Sequence, residues 1–219
     1  TAPLPAAVVF DFDGVVVDSE PVHYRAFQAV LEPLGLGFGW DRYMAEYIGY
    51  DDRDGFRAAH ADAGLAAPEG EELDGLVAAK TTAFEHEAAA GLPVFEGVEA
   101  LVRALVEEGV PLAVCSGALR GEITPTLDRL GLREVFGALV SAEDVAHSKP
   151  DPESYDQAVR QLAAATGHDL SPGGCAAIED TPAGIASARG AGLRVVAVAH
   201  THPPEALGEA QLLRERLAD

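Results

Sequence analysis

The chain has 219 residues, 48% hydrophobic and 23% charged, enough for one or two domains with a buried core and no disulfide or metal staple. Such a composition excludes a disordered chain. Fifteen basic against 36 acidic side chains leave a net charge of −21, a field that repels nucleic acid and anionic lipid, and no Lys/Arg run offsets it.

Any anionic substrate would therefore be met by a few local cations or a bound metal. The only lysines are Lys80 and Lys149, against 13 Arg, so each invites the question whether its site needs a compact ammonium. Cys115 and Cys175 border apolar runs and read as buried thiols of a reducing compartment, with one disulfide left open.

In chain order, residues 6–10 read as a first strand. No basic segment precedes them, Pro3 and Pro5 interrupt the apolar stretch, and no run approaches the ~20 apolar residues of a membrane span. The expectation is a cytoplasmic protein without signal or anchor. From about residue 20 to 92 only helical segments occur, punctuated by Gly, Pro and Asp at 35–39, 50–54 and 66–70. Val98, Leu101, Val102, Leu105 and Val106 then form a helical stripe ended by Gly109. Residues 111–115 make a second strand. Leu119, Ile123, Leu127 and Leu130 make another stripe, with Pro125 inside it. A short strand at 138–140 follows, then a helix carrying Tyr155, Ala158, Val159 and Leu162, entered through Asp151 as N-cap and Pro152. Strands at 175–178 and 193–198 flank a helix opened by Thr181-Pro182. Continuous apolar runs suit parallel strands covered on both faces. The expected fold is α/β, a doubly wound Rossmann-like parallel sheet core (1–15 and 93–219) with an inserted all-helical cap domain (16–92).

In such a sheet ligands bind at the carboxyl ends of the strands. The first strand runs into Asp11-Phe12-Asp13-Gly14, two carboxylates that read as a cation site or catalytic pair, against a plain Asp-Gly turn. An EF-hand loop is excluded, because Val15 and Val16 fall where a ligand and a Gly belong. The second strand ends in Ser116-Gly117, a hydroxyl and an amide that can form an anion-binding corner. Glu179-Asp180 follow the strand at 175–178. Asp180 or Thr181 could simply cap the next helix, yet with Asp11 and Asp13 these acids would also make an oxygen-rich site suited to Mg²⁺. Lys149 precedes Pro150, which favours an extended backbone that aims its side chain.

Together these residues resemble the haloacid dehalogenase-like hydrolase superfamily, in the helical-cap branch that includes β-phosphoglucomutase and small-molecule phosphatases. Asp11-Phe12-Asp13-Gly14-Val15 with Asp18-Ser19 looks like its first motif, Ser116 the second, Lys149-Pro150 the third and Glu179-Asp180-Thr181 the fourth. The resemblance implies Asp11 as the nucleophile that forms an aspartyl-phosphate and Asp13 as general acid, then base. It implies Mg²⁺ held by Asp11, the Asp13 carbonyl and Asp180, with Glu179 either a ligand or the support of one. Ser116, the Gly117 amide and Lys149 would hold the phosphoryl oxygens.

Asp13 sets this chain apart from the dehalogenase branch. Asp18, Ser19 and His23 match the mutase hinge, and Lys80 matches its cap lysine or else lies on a solvated helix face. Ala118 and Arg120 stand where the mutase has Ser and Asn, and Arg53 is one position from the expected cap arginine. The reading is a Mg²⁺-dependent phosphatase of a small sugar or polyol phosphate, with a cap that closes over substrate and His23, Arg53, Lys80 and Arg120 as candidate contacts. Alternatives are a mutase, a phosphonoacetaldehyde hydrolase using Lys80, or a non-enzymatic phosphoaccepting regulator. Partners other than the substrate are not expected, and the chain would be a monomer or weak dimer. The His200-Thr201-His202 segment reads as a surface loop after the last strand rather than a metal pair, and 35–39 is not a dinucleotide loop because it follows a helix.

Overall fold

The computed structural model describes residues 3–48 and 50–218. The first strand, β1 (Val8–Phe10), is buried along its whole length. The chain then builds a helical unit from α1 (Glu20–Leu31), α2 (Trp40–Arg42) running into a π-turn, α3 (Asp52–Asp62) and α4 (Gly70–Ala88). An α/β unit resumes with α5 (Val98–Glu107), β2 (Leu112–Cys115), α6 (Arg120–Arg129), β3 (Phe136–Val140) and α7 (Glu153–Thr166). It closes with β4 (Ala176–Glu179), α8 (Pro182–Gly190), β5 (Arg194–Val198) and β6 (Leu212–Arg214).

The two compact units divide after Asp18 and before Pro93, so the helical unit spans Ser19–Leu92. Residues 16–18 stay with the sheet for a hydrogen-bonding reason. Gly14 N–H donates to Val17 O (2.8 Å), Phe95 N–H to Val16 O (3.2 Å) and Asp18 N–H to Pro93 O (2.9 Å), and Val17 bridges Val94.

All six strands are parallel, in the order β3-β2-β1-β4-β5-β6. The order reverses between β1 and β4, which places a ligand crevice beyond the carboxyl ends of those two strands. On one face Val9, Ala113, Cys115, Ala177 and Val195 pack against Tyr155, Ala158 and Leu162 of α7 and Ile185 of α8. Both cysteines are buried and free. Strand β6 has no counterpart in the sequence reading, because Leu212-Leu213-Arg214 is too short a run to read as a strand; all three residues are exposed. Pro152, not Asp151, holds the N-cap position of α7, although the Asp151 carboxylate still accepts from Glu153 N–H (3.0 Å).

The helical unit has its own core of Phe27, Leu31, Tyr43, Phe56 and Leu73. Among the described residues no helix is long and apolar enough to cross a membrane.

Candidate active site

Asp11 leaves β1 with its N–H still donating to Ile178 O of β4 (3.0 Å), which fixes it at the reversal point. The chain then turns tightly, with Val16 and Val17 N–H both donating to Phe12 O (2.8 and 3.0 Å). Gly14 takes a φ of 79°, and a Cβ there would overlap the Asp180 carboxylate. Only Gly lets this turn lie against that acid.

Lys149 lies in a turn closed by Asp151 N–H to Ser148 O (3.1 Å), with a cis bond to Pro150. Its Nζ donates to Asp11 Oδ1 (2.7 Å), Glu179 Oε1 (2.6 Å) and the Cys115 carbonyl (3.3 Å), over the Tyr155 ring. Three acceptors satisfy the three N–H groups of an ammonium. A planar guanidinium would not fit that convergence.

Glu179 is fully buried at the end of β4. Oε1 accepts from Lys149 and from the Tyr155 hydroxyl (2.8 Å). Oε2 accepts from Asp180 N–H (3.1 Å), Thr181 N–H (3.3 Å) and the Thr181 hydroxyl (3.2 Å). Thr181 in turn caps α8, its Oγ1 accepting from Gly184 N–H (3.0 Å), and a Cβ at Gly184 would overlap the Glu179 carboxylate. With its lone pairs taken, Glu179 serves to hold Lys149 and the β4–α8 turn.

Asp180 is different. Oδ2 accepts from the Thr201 hydroxyl, but Oδ1 is buried without a partner. Asp11, Glu179 and Asp180 each bring one oxygen within 4.8 Å of the others; the Asp13 carboxylate is outside this group. Three buried acids face one ammonium. Burial pushes Asp11 up to about 7, with Glu179 and Asp13 adding to it against the pull of Lys149. Burial, then Asp11 and Glu179, push Asp180 well above the carboxylate range. Burial disfavours the Lys149 charge, yet Asp11 and Glu179 raise it well above the ordinary lysine value. An orphaned buried oxygen in an all-oxygen, charge-deficient cluster fits a hard dication such as Mg²⁺.

Ser116 N–H donates to Val140 O (2.9 Å), continuing the β2–β3 ladder, and Oγ accepts from Ala118 N–H (2.9 Å). Ser116, Gly117, Ser148, Lys149 and Ser154 line one pocket of about 240 Å³. Arg120 does not join them: its guanidinium is committed to Asp144 (2.5 Å) and the Leu139 carbonyl (3.1 Å).

The other candidates lie in the helical unit. Lys80 is neither solvated nor free, being 2% exposed and donating to Asp52 (2.6 Å) and His23 Nδ1 (2.8 Å). Burial and then the Lys80 ammonium push His23 down to about 3, so its ring is a neutral acceptor stacked on Phe84. Arg53 is exposed and paired with Asp74.

Tyr155, His200 and Thr201 escaped the sequence reading. Tyr155 was hidden in an apolar stripe, although a buried phenol needs a partner. The 200–202 segment is no plain surface loop after the last strand: it is half-buried, it leads to β6, and it touches both Gly14 and Asp180.

A family model, haloacid dehalogenase-like hydrolase, matches residues 8–198. The chain belongs to that family. It is therefore an enzyme of a hydrolase family. It is 30% identical over 211 residues to the validoxylamine A 7'-phosphate phosphatase of Streptomyces hygroscopicus subsp. limoneus, covering 96% of this chain and 93% of that one. It is 29% identical over 201 residues to the β-phosphoglucomutase of Bacillus subtilis (strain 168), covering 90% and 84%. The crystal structure of CbbY from Rhodobacter sphaeroides in complex with phosphate superposes with a TM-score of 0.78 at 25% identity, covering 99% of this chain and 96% of that one.

Proposed function

We propose that this enzyme is a Mg²⁺-dependent phosphatase of a small phosphorylated sugar or polyol, working through an aspartyl-phosphate on Asp11. The observation that carries the reading is the buried cluster at the β1–β4 reversal, where Lys149 grips Asp11 and Asp180 keeps an unpartnered oxygen.

Lys149 on Oδ1 fixes the plane of the Asp11 carboxylate, so its attack on phosphorus needs little reorganisation. As the phosphorus–oxygen bond to the leaving group breaks, Asp13 gives that oxygen its proton. Asp13 then takes a proton from water, whose oxygen attacks the aspartyl-phosphate to free phosphate and restore Asp11. Ser116, the Gly117 amide and Lys149 line one pocket and would hold the phosphoryl oxygens as charge shifts among them, Lys149 by exchanging its long contact to the Cys115 carbonyl. Mg²⁺ held by Asp11, the Asp13 carbonyl and Asp180 would screen the repulsion between carboxylate and phosphate.

A phosphatase named for a 7'-phosphate and a phosphoglucomutase among the relatives support a sugar or polyol phosphate. Ala118 offers no side-chain donor and Arg120 is spent on Asp144, which favours hydrolysis over a mutase that must grip a second phosphate. The test is phosphate release from a panel of sugar and polyol phosphates, phosphoglycolate and nucleotides, with Mg²⁺ or chelator, beside Asp11→Asn. Metal-dependent release from a sugar or polyol phosphate, abolished in the variant, is expected. No release from any compound, or release undiminished in Asp11→Asn, overturns the proposal.

A further inference from the structure

We propose that the loop after β5, residues 199–202, is a clamp that positions the cation site, with Thr201 orienting Asp180 and His200 pinning the Asp11–Gly14 turn. The inference rests on the Mg²⁺ reading above and goes beyond it, because neither residue belongs to the motifs that carry that reading.

His200 Nδ1 lies 2.8 Å from the Gly14 carbonyl. A carbonyl only accepts, so Nδ1 carries the proton and donates. The ring is stacked on Phe95 with centroids 3.9 Å apart and planes 19° apart, which leaves it no freedom to swing away. Through this bond β5 holds the turn that carries Asp13 at the end of β1.

Thr201 acts on the second half of the site. Its hydroxyl contacts Asp180 Oδ2, and its oxygen lies 3.0 Å from His202 Nδ1. A hydroxyl has one proton, and Asp180 in the deprotonated form that binds a cation can only accept. Thr201 therefore donates to Asp180 and accepts from the His202 ring N–H, so the chain of bonds runs one way, from His202 to Thr201 to Asp180. The two carboxylate oxygens of Asp180 are chemically alike, yet only Oδ1 is left buried and unpartnered. By taking Oδ2, Thr201 fixes which oxygen remains for a cation and holds the carboxylate plane in place. Gly14 closes the arrangement, since its missing side chain lets the pinned turn lie directly on the Asp180 carboxylate.

Groups that orient a metal ligand typically change metal affinity about 10–100-fold when removed. The test is equilibrium binding of Mn²⁺, followed by the electron paramagnetic resonance of the free ion, to the full chain and its variants, with melting in chelator to verify folding. Thr201→Val, which keeps the shape and loses the hydroxyl, is expected to weaken Mn²⁺ binding about tenfold. Thr201→Ser should restore it. Thr201→Ala removes the same hydroxyl without bulk against the carboxylate and serves if the Val variant does not fold. His200→Phe keeps the stack on Phe95 without the N–H and is also expected to bind more weakly than wild type. Wild-type affinity in the Val or Ala variant, or a Ser variant as weak as Val, overturns the clamp while leaving the phosphatase reading intact. No Mn²⁺ binding by the wild type overturns both.

Discussion

Glu179→Gln keeps the shape of a fully buried side chain and removes its charge. Five donors converge on the carboxylate: Lys149 and Tyr155 on one oxygen, Asp180 N–H, Thr181 N–H and the Thr181 hydroxyl on the other. A carboxamide has one oxygen and one NH₂, so whichever way it turns, NH₂ faces a donor. Hydroxyls can rotate away; the Lys149 ammonium and two backbone amides cannot become acceptors. Breaking a buried ion pair by removing one partner costs about 3–5 kcal/mol. Relief of the repulsion on Asp11 and Asp180 offsets part of this, so the lower end, about 3 kcal/mol, is expected. At roughly 2–4 °C per kcal/mol for a chain of this size, the melting point should fall by about 6–12 °C. Tyr155→Phe removes a single donor to a charged group, about 1.5–3 kcal/mol, and should cost less. Calorimetry in chelator on both variants provides the comparison. A Glu179→Gln protein melting within about 2 °C of wild type, less than one kcal/mol, would refute the claim that Lys149 depends on this acid.

Metal-free Asp11, raised to about 7, binds more protons than the unfolded chain between its ordinary value and that pH, so its contribution to stability declines as pH rises through this window. Cation binding should then release protons near pH ~6.5 and fewer near pH ~8.5, read by calorimetry in buffers of different ionisation enthalpy; equal release at both would refute it. His23 is shifted the other way, to about 3, so the unfolded state binds more protons and acidification from about 6.5 destabilises the helical unit. Its ring resonances should not titrate between about pH 8 and 5 in wild type, whereas Lys80→Met should move the titration upward. Gly14→Ala must adopt a left-handed backbone, about 1–2 kcal/mol, and drive a Cβ into the Asp180 carboxylate. It should melt lower and bind Mn²⁺ more weakly; unchanged Mn²⁺ affinity would contradict the close approach.

Local patterns made the sheet legible. Five of the six strands are short apolar runs, and the helices that carry clear apolar stripes fall where their 3.6-residue period places them. Strand β6 escaped because Leu212-Leu213-Arg214 is too short a run to show a period, and it is an exposed edge held by main-chain pairing to β5. The acids at the strand ends were legible for the same reason as the strands: an apolar run that stops at a carboxylate marks the rim of a parallel sheet.

Partnerships across long stretches of chain were a different matter. Lys149 meets Asp11 across 138 residues, and His200 meets Gly14 across 186. Lys80 in α4 is paired with Asp52 and His23 from two other helices, a partnership that no local pattern announces. Composition and spacing determined by themselves the fold class, the strand ends and the residue types at them, because burial period and turn chemistry act between near neighbours. Only the tertiary structure decided which charge pairs with which, leaving Glu179 saturated and one oxygen of Asp180 without a partner, because those contacts depend on strand order and on how loops distant in sequence converge on one crevice.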